Sequence, residues 1–374
     1  MKITLERTAF LKALNHIQSV VERRNTIPIL SKLLLQADSD QIRLTATDLD
    51  IEVVEIVQAD VAKSGATTAS AHMMHDIVRK LPDGSQIEIE QGPGESRVAI
   101  RARQSRFALQ AMAPEDFPDL ATGEFTNCFA IPAMAFKTLI EKTRFAISTE
   151  ETRYYLNGIY LHSVSEGEDA MLRAVATDGH RLARAQIGLP DGAKDMPGII
   201  IPRKTVLEVN RLIEGDDTEL VVEVSSSKIR FRFGFDGIVL TSKLIDGKFP
   251  DYEQVIPKEN DKRLLVDTKL FAEAVDRVST IASEKGRAVR LDISKDQLRL
   301  SVNNPDSGLA EEDVPAQYDG ETLDIGFNAR YLLDMMSQFS GEKTQFMLAV
   351  SGSPTIVSDV SDDMVLYVIM PMRI

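Results

Sequence analysis

One phrase recurs three times along this chain of 374 residues, and its spacing limits what the chain can fold into. The central copy, Arg153 to Arg184, reads as an apolar strand (Leu156, Ile159, Leu161), an acidic turn, a second strand (Leu172, Ala174, Val175) and then Thr-Asp-Gly-His-Arg. Pro28 to Leu49 carries the same phrase, and Val289 to Asp306 carries it more weakly. Thr47, Thr177 and Asn303 hold the matching place, 130 and 126 residues apart. Solenoid repeats run roughly 20–45 residues, so this period fits one compact domain copied three times.

The rest of the chain repeats in the same order. Apolar residues at helical spacing predict helices over 8–22 (Phe10, Leu14, Ile17, Val21, with Thr8 as N-cap), 72–80, 132–147, 202–213, 268–282 and 327–339, two per copy. Strict alternation predicts strands in RVAIRARQSRFAL, with Val98, Ile100 and Ala102 on one face, and in SSKIRFRF, with Ile229, Phe231 and Phe233 on one face. Asp116-Phe-Pro-Asp119 and Lys248-Phe-Pro-Asp-Tyr252 close the first two copies alike. The expected fold is therefore α+β: three tandem similar domains, 1–122, 123–254 and 255–374. Each has two helices packed on antiparallel sheet, with roughly six to eight strands in segregated rather than βαβ order.

Composition excludes several classes. With 43% apolar and 27% charged residues the chain reads as globular. No apolar run approaches the ~20 residues of a membrane span, and MKITLERTAFLKAL lacks the apolar core of a signal peptide, so the cytoplasm is the expected compartment. The single cysteine, Cys128, rules out an internal disulfide framework and, beside Phe129 and Ile131, is expected to be a buried thiol. A net charge of -14 argues against nucleic acid, yet the six helical segments with their flanks (8–24, 72–80, 132–146, 202–213, 267–283 and 327–339) hold 14 Lys or Arg against 8 Asp or Glu. A shared helical surface would then be basic on an acidic molecule, or the helices simply tolerate Lys and Arg; both readings stay open.

Catalytic candidates are weak. Asp178 and His180 resemble an acid and base, but no nucleophile elbow, zinc motif or phosphate loop accompanies them, and Asp-Gly reads as a turn. His72, His75 and Asp76 have no second ligand cluster and read as a solvated helix start; Glu88 and Glu90 read as a solvated strand face. No metal, cofactor or catalytic site is expected. The terminus is different: Tyr367 to Met370 should be a strand, and Pro371 should turn Met372-Arg373-Ile374 off the sheet, either packing back or lining an adaptable groove.

At RYYLNG (Arg153 to Gly158), VATDGHRLA (Val175 to Ala183), the SKL, DG and FPDY of Ser242 to Tyr252, and the terminal IMPMRI, the chain resembles the bacterial DNA polymerase III beta subunits, the replicative sliding clamps. The stretches Ile27 to Leu35 and Thr47 to Leu49 agree, so the resemblance covers the whole chain. It implies a non-catalytic processivity factor: a head-to-tail homodimer closed into a ring, helices lining the hole, encircling double-stranded DNA without reading sequence. The basic helices would then face DNA. It implies a partner-peptide pocket of Leu156, Thr177, Gly179, His180, Arg181, Leu182, Pro250, Val255, Val368, Met370, Pro371, Met372 and Arg373. In it Arg181 and Arg373 would bond a peptide at the rim, and the partners would be the polymerase III catalytic subunit, the clamp loader, and other polymerases and repair proteins carrying short linear peptides. It further implies DNA contact by Arg24, Arg203 and Lys204, and a dimer interface of Phe107 and Leu109 near Ile281. A hydrolase acting through Asp178 and His180, or a conventional duplex-binding protein, are the competing classes.

Overall fold

A computed structural model describes residues 1–120, 123–166, 169–215, 219–234, 237–283 and 286–373. The acidic turn at 167–168, the boundary residue 122 and the terminal Ile374 lie outside the described residues. The helices are α1 (Arg7–Ile17), α2 (Ala71–Lys80), α3 (Ala133–Thr143), α4 (Arg203–Leu212), α5 (Thr268–Ser279) and α6 (Ala329–Met336). Each follows directly on a strand, and three are capped by that strand's last residue: Glu6, Asp267 and Asn328 accept hydrogen bonds from first-turn N–H groups. The cap of α1 is therefore Glu6, not Thr8, whose own N–H is one of the donors. Pro132 ends a strand and Phe327 lies within one, so neither starts a helix, and Phe327 packs in the core.

The chain condenses into two compact units. The first (Met1–Lys137, Pro190–Pro197, Lys204–Leu244) contains a five-stranded sheet and an eight-stranded one. In the larger, the strand Ile238–Lys243 pairs antiparallel with Ile51–Gln58, Ser242 opposite Ile51, so strands of the second repeat run on into those of the first. The second unit (Thr138–Leu189, Gly198–Arg203, Ile245–Ile374) is built on a twelve-stranded sheet. There Arg181–Gly188 pairs with Val365–Ile369, Arg181 opposite Ile369. The middle repeat thus gives one sheet to each unit. The first repeat has nine described strands, one more than the largest number expected.

Burial follows the alternation, with two exceptions to expectation. Cys128 is exposed: Phe129 and Ile131 face the core, so a residue between or beside them on the same strand must face out. His75 is not solvated but buried, its Nε2 meeting the Asn15 side chain at 2.8 Å and Gln18 at 3.2 Å, while His72 Nε2 lies 3.0 Å from the Val21 carbonyl. These histidines tie α2 to α1. Among the described residues no group of three potential ligands could hold a metal, and no helix is long and apolar enough to cross a membrane.

Candidate functional site

The Thr-Asp phrase closes a tight strand connection by its own side chains. Thr177 Oγ1 donates to the Arg181 carbonyl at 2.7 Å and accepts the Gly179 N–H at 3.1 Å; Asp178 Oδ1 accepts the N–H groups of His180 and Arg181 at 2.9 and 3.0 Å. Thr47 and Asp48 make the same four bonds to the backbone of Leu49, Asp50 and Ile51, which shows the repeat to be structural. Gly179 has φ +89°, a conformation open to glycine, and a Cβ there would run into the Arg153 guanidinium. Asp178 is thus committed to the turn through its side chain, as Asp-Gly predicts.

The C-terminal segment is fastened to this turn. After Ile369 the N–H of Met370 donates to the His180 carbonyl at 2.9 Å, Pro371 ends the ladder, and Met372 N–H donates to the Gly326 carbonyl at 2.8 Å. The tail therefore does not simply leave the sheet; it crosses to a second strand, Leu323–Asn328. Met370 stays exposed, Pro371 and Met372 are half-buried, and Arg373 is exposed.

Below lies an apolar cluster of Leu156, Val175, Leu182, Ile200, Phe249, Tyr252 and Val368. Leu156, Leu182 and Val368 thus come together as expected, while Pro250 and Val255 sit exposed on the connector that Phe249 and Tyr252 anchor. Two anchoring residues were not legible in sequence. The Tyr252 hydroxyl lies 3.0 Å from His162 Nε2 and accepts from Arg173 at 3.1 Å, and Arg173, itself fully buried, also reaches Glu253 at 2.7 Å. Burial pushes the Tyr252 hydroxyl up to about 12 against the pull of Arg173, and burial holds His162 below its usual value.

Arg181 differs most from expectation. It is not free at a rim: its guanidinium meets Asp178 at 3.1 Å, Asp334 at 2.6 Å and the Phe145 carbonyl at 2.5 Å, between the rings of Tyr331 (4.3 Å) and Phe145 (5.1 Å). Every fork of the side chain is used, so it locks α6 to the turn.

The other expected residues fall elsewhere. Arg24 and Arg203 are exposed, but Lys204 is held by Asp48 and by Glu22 at 3.4 Å, which neutralises it locally. Phe107 and Leu109 lie on Ser105–Gln110, the last strand of its sheet; Ile281 is half-buried just beyond α5.

Models of the N-terminal, central and C-terminal domains of the DNA polymerase III beta subunit match residues 1–121, 130–251 and 253–373. The chain is 50% identical over 374 residues to the beta sliding clamp of Caulobacter vibrioides and 40% identical over 377 residues to that of Escherichia coli K12, each covering all of both chains. Among solved structures, the Bartonella birtlesii sliding clamp bound to griselimycin matches with TM-score 0.95 at 49% identity, and the Caulobacter crescentus clamp with TM-score 0.96 at 50%, both over 100% of each chain.

Proposed function

This chain belongs to the DNA polymerase III beta subunit family, the beta sliding clamps, and from that membership we propose that two copies close head to tail into a ring around duplex DNA. Its role is that of a replication processivity factor, not a catalyst. One observation carries the ring. Two sheets continue across repeat boundaries by the same strand pairing, and the strands that would make a third such joint are left open. Among the described residues Ser105–Gln110 pairs on one side only, and Gly308–Gln317 is paired on its second side only at Ala316 and Gln317. In the register of the first two joints, Leu109 of one copy would lie opposite Gly308 of the other and Phe107 opposite Ala310. A head-to-tail contact of this kind ends only by closing.

DNA contact then falls to Arg24 and Arg203, with Lys204 contributing less because Asp48 and Glu22 compete for it. The surface of Met370, Val255 and His180 over the Leu156, Leu182 and Val368 cluster is the docking site for short linear peptides of the polymerase III catalytic subunit, the clamp loader, and other polymerases and repair proteins. Exposed methionine adapts to varied side chains. That clamps from Bartonella birtlesii and Pseudomonas aeruginosa bind griselimycin fits a surface able to take an outside ligand. The test is topological. Loaded protein should stay on nicked circular DNA and run off the same DNA once linearised; equal retention on both would favour a conventional duplex binder.

A further inference from the structure

The docking surface owes part of its shape to residues that do not reach it. Pro250 and Val255 are exposed on the connector 245–255, but Phe249 and Tyr252, on either side of Pro250, are buried. Val255 is tied back by its N–H to the Tyr252 carbonyl at 3.0 Å. Where Phe249 and Tyr252 sit therefore decides where Pro250 and Val255 stand. Both meet rings of the strand Gly158–Glu166. Tyr160 and His162, two residues apart on that strand, share one face of it, and their rings stack at 4.5 Å. Phe249 lies 4.9 Å from Tyr160, its ring within 6° of parallel, and Tyr252 lies 5.7 Å from His162.

Hydrogen bonding selects one protonation state of His162. Its Nδ1 lies 3.4 Å from the Ser163 carbonyl, which can only accept, so Nδ1 carries the proton. Nε2, 3.0 Å from the Tyr252 hydroxyl, is left to accept the hydroxyl proton. The Tyr252 oxygen in turn accepts from Arg173, which also donates to Glu253 and Gln186. We propose that His162 is a positioning residue of the peptide-docking surface: as a neutral acceptor it fixes Tyr252, and through Tyr252 it sets the place of Pro250 and Val255. An imidazolium has no lone pair to offer the hydroxyl and would stand near the Arg173 guanidinium. Burial and Arg173, on the strand Asp169–Thr177, oppose that charge; the Ser163 carbonyl and Glu253 on the connector favour it, and the balance holds the imidazole below 6.5. A histidine lowered in this way stabilises its seat fully above 6.5 and less as pH falls below it. The inference rests on the peptide-docking reading, and its consequence is that docking weakens in mild acid.

Fluorescence polarisation of a rhodamine-labelled, histidine-free clamp-binding peptide of the polymerase III catalytic subunit tests it, with the whole chain at about pH 7.5 and about pH 5.5. Wild type should bind about fivefold more weakly at the lower pH, the effect of one lost neutral hydrogen bond. His162→Gln keeps an acceptor that does not titrate and should lose most of that fall, whatever its affinity at neutral pH. His180, on the docking surface itself, is present in both proteins, so the comparison isolates His162. Tyr252→Phe removes the hydroxyl and should flatten the profile in the same way, which keeps the test decisive where His162→Gln fails to fold. Equal falls in wild type and the variants, or no fall in wild type, overturn the positioning role and leave the docking surface standing. A wild-type protein that binds no peptide at either pH overturns the docking reading and this inference with it.

Discussion

Arg181 illustrates how one side chain can be chemically apt for one role and physically committed to another. Its three polar contacts and two ring faces join the Thr-Asp turn to α6, and removing it would leave Asp178 and Asp334 without their cation. Losing a largely buried, paired charge costs about 3 kcal/mol, so Arg181→Ala should lower unfolding stability by that order in a denaturant titration. Unchanged stability with lost peptide binding would instead return Arg181 to the rim role. His16 makes a pH prediction. Burial opposes its charge, but the hydrogen bond to Glu55 at 3.0 Å and the charges of Glu55 and Glu214 outweigh it and hold the imidazole above 6.5. A raised folded value stabilises below the unfolded pKa and is lost as pH rises through the folded one. The stability of wild type relative to His16→Gln should therefore be full below the ordinary histidine value and fall as pH rises above it, through the raised folded value. Comparing the two proteins separates His16 from His75 and His162, which burial holds below 6.5 and whose contributions carry the opposite sign.

At the scale of elements, the tail and the open edge strand carry the testable content. The tail is fixed by one main-chain bond to His180 and one to Gly326, and the last strand ends before it at Ile369. Deleting residues 370–374 should then cost only about 1–2 kcal/mol, as two backbone hydrogen bonds do, while abolishing binding of a clamp-binding peptide in fluorescence polarisation. A truncated protein that binds as before would make the tail mere packing. Phe107 lies on a strand whose outer side is unpaired among the described residues. Phe107→Asp should give monomers at low micromolar protein by sedimentation, without loss of secondary structure, because the residue is partly exposed in the single chain.

For the whole molecule, the prediction is a mass in solution of about twice 41.4 kDa and binding that depends on DNA topology more than on affinity. Phosphate contacts by exposed arginines are screened by salt. Replacing Arg24 and Arg203 together by Ala should slow loading onto primed DNA, more at low salt than at physiological salt, and leave the dimer intact. Adding Lys204→Ala should slow loading little further and should also destabilise the fold, since it strips Asp48, whose side chain is 8% exposed, of its cation. Equal loading by the double variant and wild type would remove both arginines from the DNA path.

What the sequence determined by itself is what depends on near neighbours along the chain. The helices and the inward faces of the strands follow from periods of 3.6 and 2, whereas Cys128, expected inside because of its apolar neighbours, faces out, as alternation beside the inward Phe129 requires. The Thr-Asp turn was legible for the same reason, since its bonds span two to four residues. The tertiary structure alone decided which charges are spent. Arg181 meets Asp334 across 153 residues, Lys204 meets Asp48 across 156, and Arg173 is buried against Tyr252 across 79. An exposed-looking arginine or lysine reads the same in sequence whether it is solvated, locked or waiting for phosphate. Only the distance to its counter-charge in space distinguishes these, because ion pairing depends on separation in three dimensions and not along the chain.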